Sequence, residues 1–130
     1  MSDVFWLSRD LGLPPGDQYT QDWAYELPEQ YRTRAWLEKY LAAYLMGGYS
    51  PQARHELMTL ALDVCNDLVS AGASSAEEPM VRVLSALFED RQANGDLIAY
   101  WAMEGEVLEE CFALTPEVRR LKACKRTTGA

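Results

Sequence analysis

The sequence contains one histidine and three cysteines, which leaves few ligands or nucleophiles for catalysis. Cys65, Cys111 and Cys124 form no CxxC pair and their number is odd, so neither a zinc site nor a disulfide framework is predicted. His55 lies in an exposed helical turn, and the cysteines stand in apolar or helical contexts that do not favour a reactive thiolate. No GxSxG, P-loop, GxGxxG or HExxH motif is present. We therefore expect a non-enzyme with no catalytic residue, no metal and no cofactor.

Long apolar runs are also missing. The N-terminal MSDVFWLSRDLG has acidic residues early and lacks the apolar stretch of a signal peptide. The apolar segments elsewhere are too short to cross a bilayer. Together with the unpaired cysteines, these features favour a cytoplasmic protein in a reducing compartment that does not contact the membrane.

Positive charge is scarce over most of the chain. The formal net charge is −8, from 20 acidic and 12 basic residues, and residues 1–118 alone carry −13. Five of the basic residues fall in the last twelve positions: Arg119, Arg120, Lys122, Lys125 and Arg126. Such a charge repels nucleic acid and anionic membranes, attracts basic proteins, and also serves plain solubility.

The remaining composition supports one helical domain preceded by a different segment. Nearly half of the 130 residues are apolar (48%), which is enough for a hydrophobic core. Residues 1–27 combine turn-forming proline and glycine with several aromatic residues, and we expect an N-terminal arm packed on the helices. These aromatic residues are Phe5, Trp6, Tyr19, Trp23 and Tyr25. Residues 28–126 are expected to form the helical domain.

Apolar residues recur at helical spacing through this second region. The first helix is predicted from Pro28 to Met46. The second is expected to open with a Ser50 cap and to end at Gly72. The third is expected to begin near a capping box made by Ser75 and Glu78.

The fourth predicted helix begins near Asp96 and continues far enough for Leu108 and Phe112 to face inward, with Gly105 in its middle. A last helix is expected from Thr115. No period-two alternation predicts a strand pair and no internal repeat is present. The expected fold class is therefore all-α, a compact bundle of four to five helices with an aromatic-rich N-terminal arm.

Carboxylates at helical spacing are the candidate site. Asp63 and Asp67 would share one helix face, and Glu106 and Glu110 another, with Glu109 close by. Such faces are either solvated or meet positive charge, which a basic protein or a divalent cation could supply. Since the chain has no Glu-x-x-His motif of the di-iron type, we favour a protein partner over a metal.

Two short runs carry a family resemblance. Asp22-Trp23-Ala24-Tyr25-Glu26-Leu27 precedes a long helix, and Tyr100-Trp101 occurs late in the chain. With the helix order, these runs resemble small acidic helical bacterial proteins of toxin-immunity and uncharacterised families. The resemblance implies a protein that binds and blocks another protein.

Three functions are consistent with these features. The first is an immunity-type inhibitor of a basic partner such as a toxin, contacting it through Asp63, Asp67, Glu106, Glu109 and Glu110. The second is a small acidic secretion chaperone or adaptor, with Trp6, Trp23 and Tyr25 among its contacts. The third is a metal-binding protein or enzyme built on the carboxylate faces. The chain is expected to be a monomer or a homodimer, and no nucleic acid is expected to bind.

Overall fold

The computed structural model describes residues 9–12, 27–46 and 48–128, with side chains as far as Ala123. Among the described residues, 9–11 form a short helical turn, and five longer α-helices follow: α1 (Arg34–Met46), α2 (Pro51–Ser70), α3 (Glu78–Glu89), α4 (Gly95–Ala102) and α5 (Thr115–Thr128). Two 3-10 turns, Glu29–Tyr31 and Leu108–Glu110, complete these elements. Within the described ranges there is no strand, so the predicted all-α class is confirmed. The predicted N-terminal arm lies mostly outside the described residues.

Internal contacts divide the chain into two units, Met1–Val64 and Cys65–Ala130. The boundary falls inside α2. The first unit contains α1 and most of α2, and the second contains the end of α2 and the three later helices.

In the first unit, helix α1 begins later than predicted. The backbone forms a 3-10 turn over Glu29–Tyr31, and α1 itself starts at Arg34. The hydroxyl of Thr33 accepts a 3.3 Å hydrogen bond from the backbone N–H of Trp36. This cap satisfies a backbone donor that has no partner within the helix, so the new helix begins after threonine. The predicted end at Met46 is confirmed.

The inner face of α1 and the first four turns of α2 contribute the apolar residues of the first unit. Leu37, Tyr40 and Leu41 of α1 are buried. Helix α2 is buried on several sides, and its buried residues include Leu57, Met58, Leu60, Leu62 and Val64. Its predicted cap also forms, since the Ser50 hydroxyl accepts a 3.2 Å hydrogen bond from the N–H of Ala53.

In the second unit, α2 ends at Ser70, and Gly72, the glycine predicted to terminate this helix, follows two residues later. The glycine has a φ of +112°, a conformation that residues with a Cβ rarely adopt. The N–H of Ala73 donates to the Leu68 carbonyl at 2.9 Å, and the N–H of Gly72 donates to the Val69 carbonyl at 3.0 Å. This pair of bonds is a Schellman motif, which satisfies carbonyls that the helix end leaves without partners.

The capping box predicted at Ser75 and Glu78 does not form. Helix α3 begins at Glu78, and the side chain of Glu77 accepts a 3.2 Å hydrogen bond from the N–H of Ser74. The reason is Pro79, which has no N–H and fits the first helical turn, where that donor is not needed. A helix beginning after Ser75 would place this proline deeper, where its N–H is required.

Helix α4 is much shorter than predicted. It ends at Ala102, and Met103 follows in the left-handed conformation with a φ of 45°. Gly105, expected in the middle of a helix, lies in a loop with a φ of +92°. Leu108, expected inside, is instead exposed. Helix α4 packs on α5, which begins at Thr115 as predicted.

Candidate functional site

The five predicted contact residues fall on two separate elements. Asp63 and Asp67 lie one turn apart on α2, and Glu106, Glu109 and Glu110 lie between α4 and α5. We call residues 104–110 the acidic loop. Its sequence is Glu-Gly-Glu-Val-Leu-Glu-Glu, with four carboxylates and no basic residue.

Asp63 is engaged within the first unit. Its carboxylate forms an ion pair with the guanidinium of Arg32, and the two side chains are only 14% and 9% exposed, respectively. The nearby hydroxyl of Tyr40 donates a 2.6 Å hydrogen bond to the carbonyl of Tyr31, which fixes the same 3-10 turn against α1. A carboxylate in this position serves the fold, whereas Asp67 is exposed on α2.

The acidic loop is a surface feature. All four of its glutamates are exposed. Val107 and Leu108, at its centre, are 56% and 52% exposed. The expectation that Glu106 and Glu110 share a helix face was wrong, because α4 ends at Ala102 and the later 3-10 turn covers only Leu108–Glu110. The loop nevertheless brings Glu106, Glu109 and Glu110 together in one short exposed segment.

Arg119 of α5 holds the beginning of this loop. Its Nε donates to the carbonyl of Ala102 at 2.5 Å, and its Nη2 donates to the carbonyls of Met103 and, at 2.9 Å, Glu106. The last carbonyls of a helix lack partners inside it and carry partial negative charge. At the end of α4, the guanidinium supplies hydrogen-bond donors to these carbonyls and a positive charge beside them. It also donates a hydrogen bond to the carbonyl of Glu106 in the acidic loop.

Cys111 fixes the C-terminal end of the acidic loop by a hydrogen bond. Its thiol donates a 3.2 Å hydrogen bond to the carbonyl of Val107, which also accepts the N–H of Glu110 at 3.0 Å. The Sγ atom of Cys111 lies 3.5 Å from Nη2 of Arg119. The backbone on both sides of Val107 and Leu108 is thus fixed by hydrogen bonds.

An aromatic cluster flanks the acidic loop, with Tyr100 and Trp101 before it and Phe112 after it. The ring of Phe112 lies 4.8 Å from that of Trp101 and is stacked on Tyr100 at 5.4 Å between centroids. The hydroxyl of Thr115 donates to the carbonyl of Trp101 at 2.8 Å. These contacts join the end of α4 to the start of α5, so the loop between them has firm attachments.

Neighbouring bases neutralise little of the loop. Lys122 pairs with Glu104 at 3.2 Å, and Arg120 pairs with Glu117 outside the loop. Arg119 is directed to main-chain oxygens. Within the part of the chain that the structure describes, no ion pair reaches the carboxylates of Glu106, Glu109 or Glu110. Three adjacent negative charges therefore face solvent.

The role of Arg119 was missed from the sequence. In the sequence, Arg119 was one of five basic residues near the C-terminus and had no separate role, whereas in the structure its guanidinium binds the carbonyl at the end of α4. A signal was present in Gly105, which stands three residues after the last residue of α4 and is typical of a helix end. An early end for α4 leaves carbonyls that an arginine on the next helix can reach.

Other chemistry receives no support from the described residues. Among them, no three histidine, cysteine, aspartate or glutamate side chains group as a metal site would require. Burial raises the pKa of the Cys65 thiol to about 12, so this thiol is protonated and unreactive at neutral pH. None of the described helices has the length and apolar character needed to span a bilayer.

Comparisons with known proteins add no family to this picture. Neither protein-family models, nor curated proteins, nor solved structures match the chain. The resemblance to toxin-immunity proteins therefore remains a hypothesis.

Proposed function

We propose that the protein binds a basic protein and blocks it, as an immunity-type inhibitor does, with the acidic loop as its contact surface. The observation that carries this proposal is the set of exposed carboxylates of Glu106, Glu109 and Glu110, which form no ion pair among the described residues and lie on a backbone fixed by Arg119. The proposed setting is the cytoplasm of a bacterium, and the proposed partner is a basic toxin or enzyme.

Two physical effects favour this use of the loop. A net charge of −13 over residues 1–118 accelerates encounters with a positively charged protein. A loop already held by hydrogen bonds loses little conformational entropy when a partner binds, so more of the contact energy remains as affinity. The negative charge raises the rate of encounter with the partner, and the fixed backbone holds the three carboxylates in one arrangement.

The contact residues are a subset of those expected from sequence. Glu106, Glu109 and Glu110 form the proposed surface, and Asp67 is a separate exposed carboxylate on α2. Asp63 is omitted because its ion pair with Arg32 is largely buried. Removing Asp63 would disturb the fold before it affected a partner.

The test compares two variants that lose the same charge. Glu106→Gln/Glu109→Gln/Glu110→Gln removes the loop carboxylates, and Glu29→Gln/Glu78→Gln/Glu89→Gln removes three exposed carboxylates elsewhere. Tagged wild type and both variants are used to capture partners from the native lysate at low and high salt. We expect a basic protein bound by wild type and the control but lost from the loop variant, and released by salt. Equal capture by both variants would refute the assignment to the loop.

A second candidate, the secretion chaperone or adaptor, is favoured by one surface of the first unit. Leu45 and Met46 at the end of α1 are exposed, and Met46 is 81% exposed. Such a surface could hold an apolar segment, and its binding would resist salt. Partner capture that persists in high salt and is abolished by Leu45→Ser/Met46→Ser would favour this function over the inhibitor.

A further inference from the structure

We infer that the segment of the partner that meets the acidic loop is amphipathic as well as basic, with apolar side chains that cover Val107 and Leu108. This inference rests on the proposed function and narrows it to one class of partner surface. It starts from two adjacent aliphatic side chains, each more than half exposed, at the centre of the loop.

The order of residues around this pair is symmetrical in charge. Glu104 and Glu106 precede Val107, and Glu109 and Glu110 follow Leu108. The exposed apolar pair is therefore flanked by carboxylates on both sides in sequence. A small apolar contact with a charged surround is the usual anatomy of a protein interface, with the rim setting orientation and encounter rate.

The carboxylates around Val107 and Leu108 determine which kind of partner segment can cover these two side chains. A neutral apolar segment would bury the neighbouring carboxylates without partners, which is unfavourable. A second copy of this loop would bring like charges together. A hydrophilic basic segment would pair with the carboxylates but leave Val107 and Leu108 in water. A segment with lysine or arginine on both sides of aliphatic or aromatic side chains satisfies all of these groups.

The backbone hydrogen bonds make the apolar pair available without rearrangement. The carbonyl of Val107 accepts the thiol of Cys111, and the carbonyl of Glu106 accepts Arg119. Neither the side chain of Val107 nor that of Leu108 takes part in these bonds. Substituting them removes apolar contact area while leaving the bonds that fix the loop in place.

The experiment uses two synthetic peptides of equal length and charge. One alternates lysine with leucine in an amphipathic pattern, and the other has serine in place of every leucine. Each is titrated into the wild-type protein by calorimetry at low and moderate salt. We expect the lysine–leucine peptide to bind wild type about tenfold more tightly than the lysine–serine peptide, a difference of about 1.4 kcal/mol.

Substitutions in the protein test whether Val107 and Leu108 cause the difference in affinity between the two peptides. Val107→Ser/Leu108→Ser should weaken the lysine–leucine peptide by about tenfold and leave the lysine–serine peptide unchanged. The control, Val81→Ser, removes an aliphatic side chain that is 46% exposed on α3, and this variant should bind both peptides as wild type does. Circular dichroism checks that both variants remain folded.

Two results separate this inference from the proposed function. Equal affinity of wild type for the two peptides, or no effect of Val107→Ser/Leu108→Ser, would overturn the amphipathic partner while leaving a purely electrostatic inhibitor. Unchanged binding of both peptides by Glu106→Gln/Glu109→Gln/Glu110→Gln would overturn the proposed contact surface itself.

Discussion

The guanidinium of Arg119 on α5 donates a 2.9 Å hydrogen bond to the main-chain oxygen of Glu106. The same group also reaches Ala102 and Met103, so one side chain joins the last turn of α4 to the acidic loop. This relationship makes the loop a defined surface, and it leads to the first of four testable predictions.

Replacing Arg119 should loosen the acidic loop. Arg119→Ala removes the hydrogen bonds that the guanidinium donates to three carbonyls, and we expect it to lower the free energy of unfolding by about 2 kcal/mol. Amide hydrogen exchange across residues 103–111 should accelerate at the same time. Arg120→Ala is the control, because its exposed pair with Glu117 contributes less than about 1 kcal/mol. Equal destabilisation by the two variants would contradict the role of Arg119.

Asp63, which pairs with Arg32, should contribute more to stability than Asp67 on the same helix. Asp63→Asn removes the negative charge from a mostly buried ion pair, and we expect a loss of roughly 3 kcal/mol in unfolding free energy. Asp67→Asn, on an exposed side chain, should change stability by less than about 0.5 kcal/mol. Chemical denaturation measures both, and similar values would show that the pair does not support the fold.

Two glycines should respond to alanine in opposite directions. Gly105 has a φ of +92°, so Gly105→Ala strains the backbone and should destabilise the protein by about 1 kcal/mol. Gly95 begins α4 with open space around its Cα, so Gly95→Ala should stabilise it by roughly 0.5 kcal/mol. Thermal denaturation measures whether each variant is more or less stable than wild type. A stabilising Gly105→Ala would mean that α4 continues through this position.

Alkaline pH should destabilise the protein through Cys65. Burial holds the pKa of this thiol at about 12, above its usual value of 9.0, so the unfolded chain loses the proton first. The stabilising effect is complete below pH 9 and disappears as the pH rises towards 12, at about 1.4 kcal/mol per pH unit. Denaturation of wild type and Cys65→Ala at pH 8 and 10.5 isolates this contribution from other groups. If the difference in unfolding free energy between wild type and Cys65→Ala were the same at both pH values, the predicted contribution of Cys65 would be contradicted.

Local signals in the sequence accounted for most of the helical structure. The Ser50 cap, Gly72 and Thr115 mark helix boundaries that the structure confirms. Each of these residues acts on backbone groups within a few positions, which is why the sequence alone identifies them.

The prediction was wrong where a distant residue decides the outcome. Apolar periodicity continued through Leu108, but α4 ends at Ala102, where Arg119 satisfies the free carbonyls from another helix. The pairing of Asp63 with Arg32, 31 positions away, could not be read from helical spacing either. The spacing identified the candidate carboxylates, while tertiary contacts determined which of them face solvent.

The contacts that Arg119 makes with residues 102–106 involve only main-chain oxygens. A side chain at Glu104, Glu106, Val107 or Leu108 can therefore be exchanged without removing a hydrogen bond from Arg119. The loop geometry is largely independent of the residues it displays. A scaffold of this kind can change its binding specificity by substitution on the loop while the fold beneath it stays the same.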